Sequence, residues 1–190
     1  MDSFSLCHQN YASLGMIIAI YEATSLSSTM KKKIEKPLWQ TVGIGVLAGM
    51  RSASAPAITS YILSHHKTKA LAKSGLSFMQ TNVIANGLKY MAIAEFIGDK
   101  LPSAPNRIKP VSVTARCVSG ALAGAGIFKA SGGNGWLGAL LGGSVAIAST
   151  YGSFFLRKAT VKNSGIIDPI IGALEDALVV GAGVGIARLA

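Results

Sequence analysis

Glu95, Asp99, Glu175 and Asp176, together with Arg51, Lys100 and Arg116, are charged residues that fall inside or against long apolar stretches of this 190-residue chain. An ionised side chain in hydrocarbon costs on the order of 2.5–3.5 kcal/mol even on the lenient insertion scale. Such groups are expected to face one another or a wet cavity, and carboxylates placed there suit cations or protons. Glu95 and Asp99 stand at i, i+4, on one helix face. Asp99 falls near the C-terminal end of its helix, where the dipole disfavours an anion, so Lys100, Arg51 or Arg116 is expected to offset it. Glu175 and Asp176 are adjacent, point about 100° apart on a helix and cannot easily share one partner. The plainer reading of the same residues is an ion-pair network that sets helix register. Asp168 precedes Pro169, the pattern of an N-cap followed by the first helical residue.

Other chemistries find no residues to carry them. Neither a Ser-His-Asp nor a Cys-His arrangement can be assembled, and no metal-ligand spacing is present, so no catalytic residue, metal site or cofactor is expected. The two cysteines, Cys7 and Cys117, cannot frame a disulfide scaffold. His65 and His66 adjoin at a helix end without a partner cluster. Val42 to Gly49 superficially matches the dinucleotide fingerprint, which needs an acid about 20 residues later; none occurs between Glu35 and Glu95.

The elements that must hold the charged residues are apolar helices. Half of the residues are hydrophobic and only 14% charged, against about a quarter in soluble domains; the mean hydropathy is +0.45. Five apolar stretches run over about 38–64, 76–97, 111–128, 130–156 and 166–187. The first is interrupted by Arg51 and Pro56, and if it counts as two segments the total is six. The expected fold is all-α: a polytopic membrane bundle of five, possibly six, tightly packed helices. Gly45 and Gly49, Gly120 and Gly124, Gly138 and Gly142, and Gly181 and Gly185 each form a G-x-x-x-G pair, which flattens a helix face for close packing. All 18 Lys and Arg follow Met30; residues 1–29 read as a leader or disordered extension, and 30–190 as a single transmembrane domain. The net charge of +10 sits mainly between the apolar stretches, which suits anionic lipid rather than nucleic acid. Counting Lys and Arg over five spans puts the N-terminus in the cytoplasm, in a bacterial inner membrane. A homo-oligomer is compatible with the sequence.

Gly49-Met50-Arg51-Ser52 with Pro56, Glu95 to Pro102, Pro105 with Arg107 and Pro110, Arg116 with Ser119-Gly120-Ala121, and Glu175-Asp176-Ala177 resemble the bacterial membrane family called domain of unknown function 4126. The resemblance covers about residues 38–188 and implies a polytopic membrane protein without naming an activity. Glu95-Phe96-Ile97-Gly98-Asp99-Lys100 is similar to the E-x-G-D-[KR] motif of cation–proton exchangers, with one extra residue before the glycine and Leu101 in place of Ser or Thr. The functional expectation is a small transporter or channel-like protein for cations or small solutes. Arg51, Glu95, Asp99, Lys100, Arg116, Glu175 and Asp176 would line its polar site. The rival is a non-transporting membrane scaffold with basic loops that bind lipid or a partner.

Overall fold

The computed structural model describes residues 37–98, 108–164 and 168–189, with the side chains of 162–164 and 168–170 left aside. All of these belong to the unit Lys31–Ala190; the expected leader, 1–29, and Asp99 and Lys100 lie outside the described residues. The fold is all-α. In chain order the helices are α1 (Pro37–Met50), α2 (Ser54–His65), the short α3 (Lys69–Ala72), a 3-10 turn (Ser77–Gln80), α4 (Asn82–Gly98), α5 (Pro110–Ala130), α6 (Gly135–Ser164) and α7 (Asp168–Leu189). Two described helices, Pro110–Ala130 and Gly135–Val161, are long and apolar enough to cross a membrane.

Local chemistry sets the boundaries. Pro110 opens α5 at the first turn, where its missing N–H costs nothing. At the other end Gly132 takes φ +87°. The N–H of Gly133 then reaches Phe128 O at 2.8 Å and that of Gly132 reaches Lys129 O at 3.1 Å, a Schellman closure that relies on glycine's freedom at positive φ. Asn134 Oδ1 accepts from the Trp136 N–H at 3.0 Å and caps α6.

The first apolar stretch is a hairpin rather than one kinked helix. Arg116 of α5 reaches Gly49, while a Cβ on Gly124 would meet Thr41, so α1 runs antiparallel to α5. Ser119 meets Ser52, and a Cβ on Gly126 would meet Thr59 and Leu63, so α2 runs parallel to it. The other helices agree. A Cβ on Gly183 of α7 would lie against both Leu47 and Ile58, and α4 runs back along α2, with Lys89 over the Tyr61 ring at 4.6 Å and Glu95 at Ser52 and Ala53. The chain therefore reverses at residues 51–53. Among the twelve residues of α2, Ser54 to Ala57 and Thr59 to Ser64 are buried, and its Ile62 and Leu63 join Ile44, Met79, Ala123 and Ile127 in the core.

Small residues bring α1, α5 and α6 together. A Cβ at Gly120 would stand 2.5 Å from Gly142 O, and one at Gly45 3.0 Å from the same atom; Gly124 and Gly138 approach each other backbone to backbone, and a Cβ at Gly49 would stand 2.5 Å from Ala146 O. Gly181 and Gly185 correct the expectation. A Cβ on either meets nothing within 4 Å, whereas one on Gly183 would lie 2.5 Å from Ile58 Cδ1. Residues two apart on a helix point about 200° apart, so the G-x-x-x-G pair of α7 lies away from the face that carries the close contact.

Candidate functional site

The polar centre is the tip of the α1–α2 hairpin, and it can be derived from Pro56. A proline has no N–H to give to the carbonyl four residues back, and its ring clashes with that carbonyl. The carbonyl in question is that of Ser52; it accepts instead from Ser119 Oγ of α5. The interruption frees other groups in turn. Ser52 N–H and Ala53 N–H, which an unbroken helix would give to Ala48 and Gly49, donate to Glu95 of α4: Ser52 N to Oε1 at 2.9 Å and Ala53 N to Oε2 at 2.7 Å. Ser52 Oγ adds a third bond to Oε1 at 2.7 Å. The carbonyl of Gly49 accepts from Arg116 Nη1 of α5 and from Thr150 Oγ1 of α6, each at 3.2 Å. Four backbone groups released by the break thus find side-chain partners on three other helices, which buried backbone requires.

The charges match the dipoles of the two short helices. Glu95 lies at the N-terminal, positive end of α2, and Arg116 at the C-terminal, negative end of α1. Arg51 sits between them at 3% exposure. Its Nε donates to Asp176 Oδ1 of α7 at 3.1 Å and its Nη2 pairs with the same oxygen; the guanidinium carbon lies 4.7 Å above the centre of the Phe96 ring, within cation–π range. Asp176 is 1% exposed. Its neighbour Glu175 turns to another partner, Arg157 Nη1 of α6, at 3.7 Å.

The structure brings together Arg51, Glu95, Arg116 and Asp176 around one hairpin tip, while Glu175, beside Asp176 on α7, meets Arg157; Asp99 and Lys100 lie outside the described residues. The expected pairing of Arg51 or Arg116 with Glu95 or Asp99 takes a different form for the described members. Arg51 goes to Asp176, and Glu95 goes to backbone donors. Ser52, Ser119, Thr150 and Arg157 join the site without being among the residues expected from the sequence. Ala146, Thr150 and Arg157 recur at i, i+4, i+11 along α6, on one face, and that spacing was the available signal. Among the described residues no group of three His, Cys, Asp or Glu is placed to hold a metal ion.

A family model described as Domain of unknown function (DUF4126) matches residues 38–187. No curated protein and no solved structure matches the chain.

Proposed function

This chain belongs to the family whose model spans residues 38–187, and from that premise we propose that it is a multi-pass membrane protein acting as a small transporter or channel-like protein, with the hairpin tip as its polar site. The observation that carries the reading is the interrupted helix itself. Irregular backbone at membrane depth is tolerated only where protein or water satisfies it. Transporters build their sites at such discontinuities, with half-helix ends aimed at charge. Here α1 has 14 residues and α2 has 12, each short of the roughly 20 that cross a bilayer. The hairpin enters and returns on one side, and α4, α5, α6 and α7 cross.

That topology puts the start of α1 and the end of α7 on one side. The Lys and Arg on that side are Lys31, Lys32, Lys33, Lys36, Lys67, Lys69, Lys73, Lys129 and Arg188; the other side has Lys100, Arg107, Lys109, Arg157, Lys158 and Lys162. The positive-inside rule then favours the cytoplasm of a bacterial cell for the start of α1 and the end of α7. Exposed Trp136, Leu137, Leu140, Phe155 and Leu156 along α6 suit contact with lipid tails.

The scaffold reading is favoured by one observation, the buried Arg51–Asp176 pair, whose charges already answer each other. Purified protein in liposomes separates the two. Uptake of protons, monovalent and divalent cations or small neutral solutes above that of empty liposomes supports transport. Vesicles as tight as empty ones across that panel overturn it and leave the scaffold.

A further inference from the structure

We propose that the ion handled at the hairpin tip is the proton, not a metal cation, and that Glu95 is the group that takes it; this rests on the transport reading above. A metal cation needs several oxygen lone pairs turned toward one point. The described carboxylates of the tip are turned toward hydrogen-bond donors. Glu95 Oε1 faces the N–H and O–H of Ser52, and Oε2 faces the Ala53 N–H. Asp176 Oδ1 faces the Arg51 guanidinium, and Glu175 Oε2 faces Arg157. A metal ion at any of these oxygens would meet the positive ends of those donors. A proton needs one lone pair, and the resulting acid still has acceptor capacity for the same partners.

Glu95 stands apart from the other two carboxylates. The donors it faces on Ser52 and Ala53 are neutral, so its protonation removes no charge from an ion pair, whereas protonating Asp176 would break its pair with buried Arg51. Glu95 is also half-buried rather than buried. The charged groups on the elements packed at the tip are Arg51 itself, Asp176 and Glu175 on α7, Arg116 on α5 and Arg157 on α6; among their contacts Arg51 meets Asp176, Arg157 meets Glu175 and Arg116 meets Gly49 O. In the step, a hydronium ion gives its proton to a Glu95 oxygen. One O–H bond breaks, one forms, and a water molecule leaves. The tip gains one positive charge, and the N-terminal end of α2 loses the anion that answered its dipole. Loss of that proton to water on the opposite side restores the carboxylate.

The test uses the full chain in liposomes with a pH-sensitive dye inside, beside separate uptake of sodium, potassium and calcium. The expected result is collapse of an imposed pH gradient by the parent and its loss, to the level of empty liposomes, in Glu95→Gln, with no uptake of the three metal ions by either. Ser52→Ala keeps the carboxylate but removes one of its three donors, and the pH midpoint of proton flux should differ from the parent's. Parent-like proton flux in Glu95→Gln overturns the assignment. Metal-ion uptake without proton flux overturns it while sustaining transport; absence of any flux overturns both. If Glu95→Gln fails to fold, an unshifted midpoint in Ser52→Ala overturns the assignment alone.

Discussion

Gly120→Ala and Gly181→Ala make the same chemical change on two helices and should act in opposite directions. A Cβ at Gly120 would lie 2.5 Å from Gly142 O, 2.7 Å from Ala146 Cβ and 3.2 Å from Gly142 C. Ordinary contact begins near 3.4 Å, so α5 and α6 must part by about 0.9 Å, because the obstacle is backbone and cannot rotate aside. A gap of about 0.5–1 Å forfeits a quarter to a half of the attraction between the atoms lining it. Overpacking of this kind costs about 1–3 kcal/mol, and a backbone obstacle puts Gly120 at the upper end. Alanine returns up to about 1 kcal/mol through helix propensity, which leaves a net loss of about 2 kcal/mol. At about 2–4 °C per kcal/mol for a chain of this size, melting should fall by about 4–8 °C. Gly181→Ala meets nothing within 4 Å, receives only the propensity gain and should melt about 2–4 °C higher. Melting of the purified variants in one detergent, followed by tryptophan fluorescence, measures both. A Gly120→Ala protein at or above the parent, or a Gly181→Ala protein below it, refutes the packing argument.

Asp176→Asn should cost about 3–5 kcal/mol, since it breaks the ion pair with buried Arg51, and the double substitution Arg51→Met with Asp176→Leu should recover most of that loss; chemical denaturation of Asp176→Asn, Arg51→Met and the double variant reads both, and additive losses would contradict the pairing. Arg157→Gln should cost less than Asp176→Asn, because its ion pair with Glu175 spans 3.7 Å and the Arg157 side chain is 23% exposed; melting of the two variants side by side checks the order. Single cysteines at Lys36 and Lys67 should react with an impermeant thiol reagent from one side of the membrane and a cysteine at Lys109 from the other, in a background lacking Cys7 and Cys117; labelling of residues 36 and 67 from opposite sides would contradict the hairpin topology.

The interruption of the first apolar stretch was legible because Pro56 denies Ser52 a helical partner whatever the context. The reversal of direction was not, because a three-residue break can bend or turn back and the choice falls to Glu95, Arg116 and Ser119, distant in sequence. Adjacent Glu175 and Asp176 could be seen to need different partners from helix geometry. Which arginine each meets depends on how α6 and α7 pack around the tip, and no local pattern encodes that. Glycine spacing has the same limit. Gly120–Gly124 and Gly181–Gly185 are alike as text, yet the first pair touches backbone and the second meets open space, since a period of four specifies a face and not its neighbour.

The hairpin also sets an order of assembly. The groups that complete its tip lie 42 or 43 residues later in Glu95, 67 later in Arg116 and Ser119, and 125 later in Asp176. Contacts so distant in sequence form slowly, because long loops must close before they are rewarded. During synthesis α1 and α2 emerge before every one of these partners, with the freed N–H and C=O groups of residues 49–53 still in need of water. The Arg51–Asp176 pair can form only after α7 has been made, so during synthesis the tip is completed last from that side.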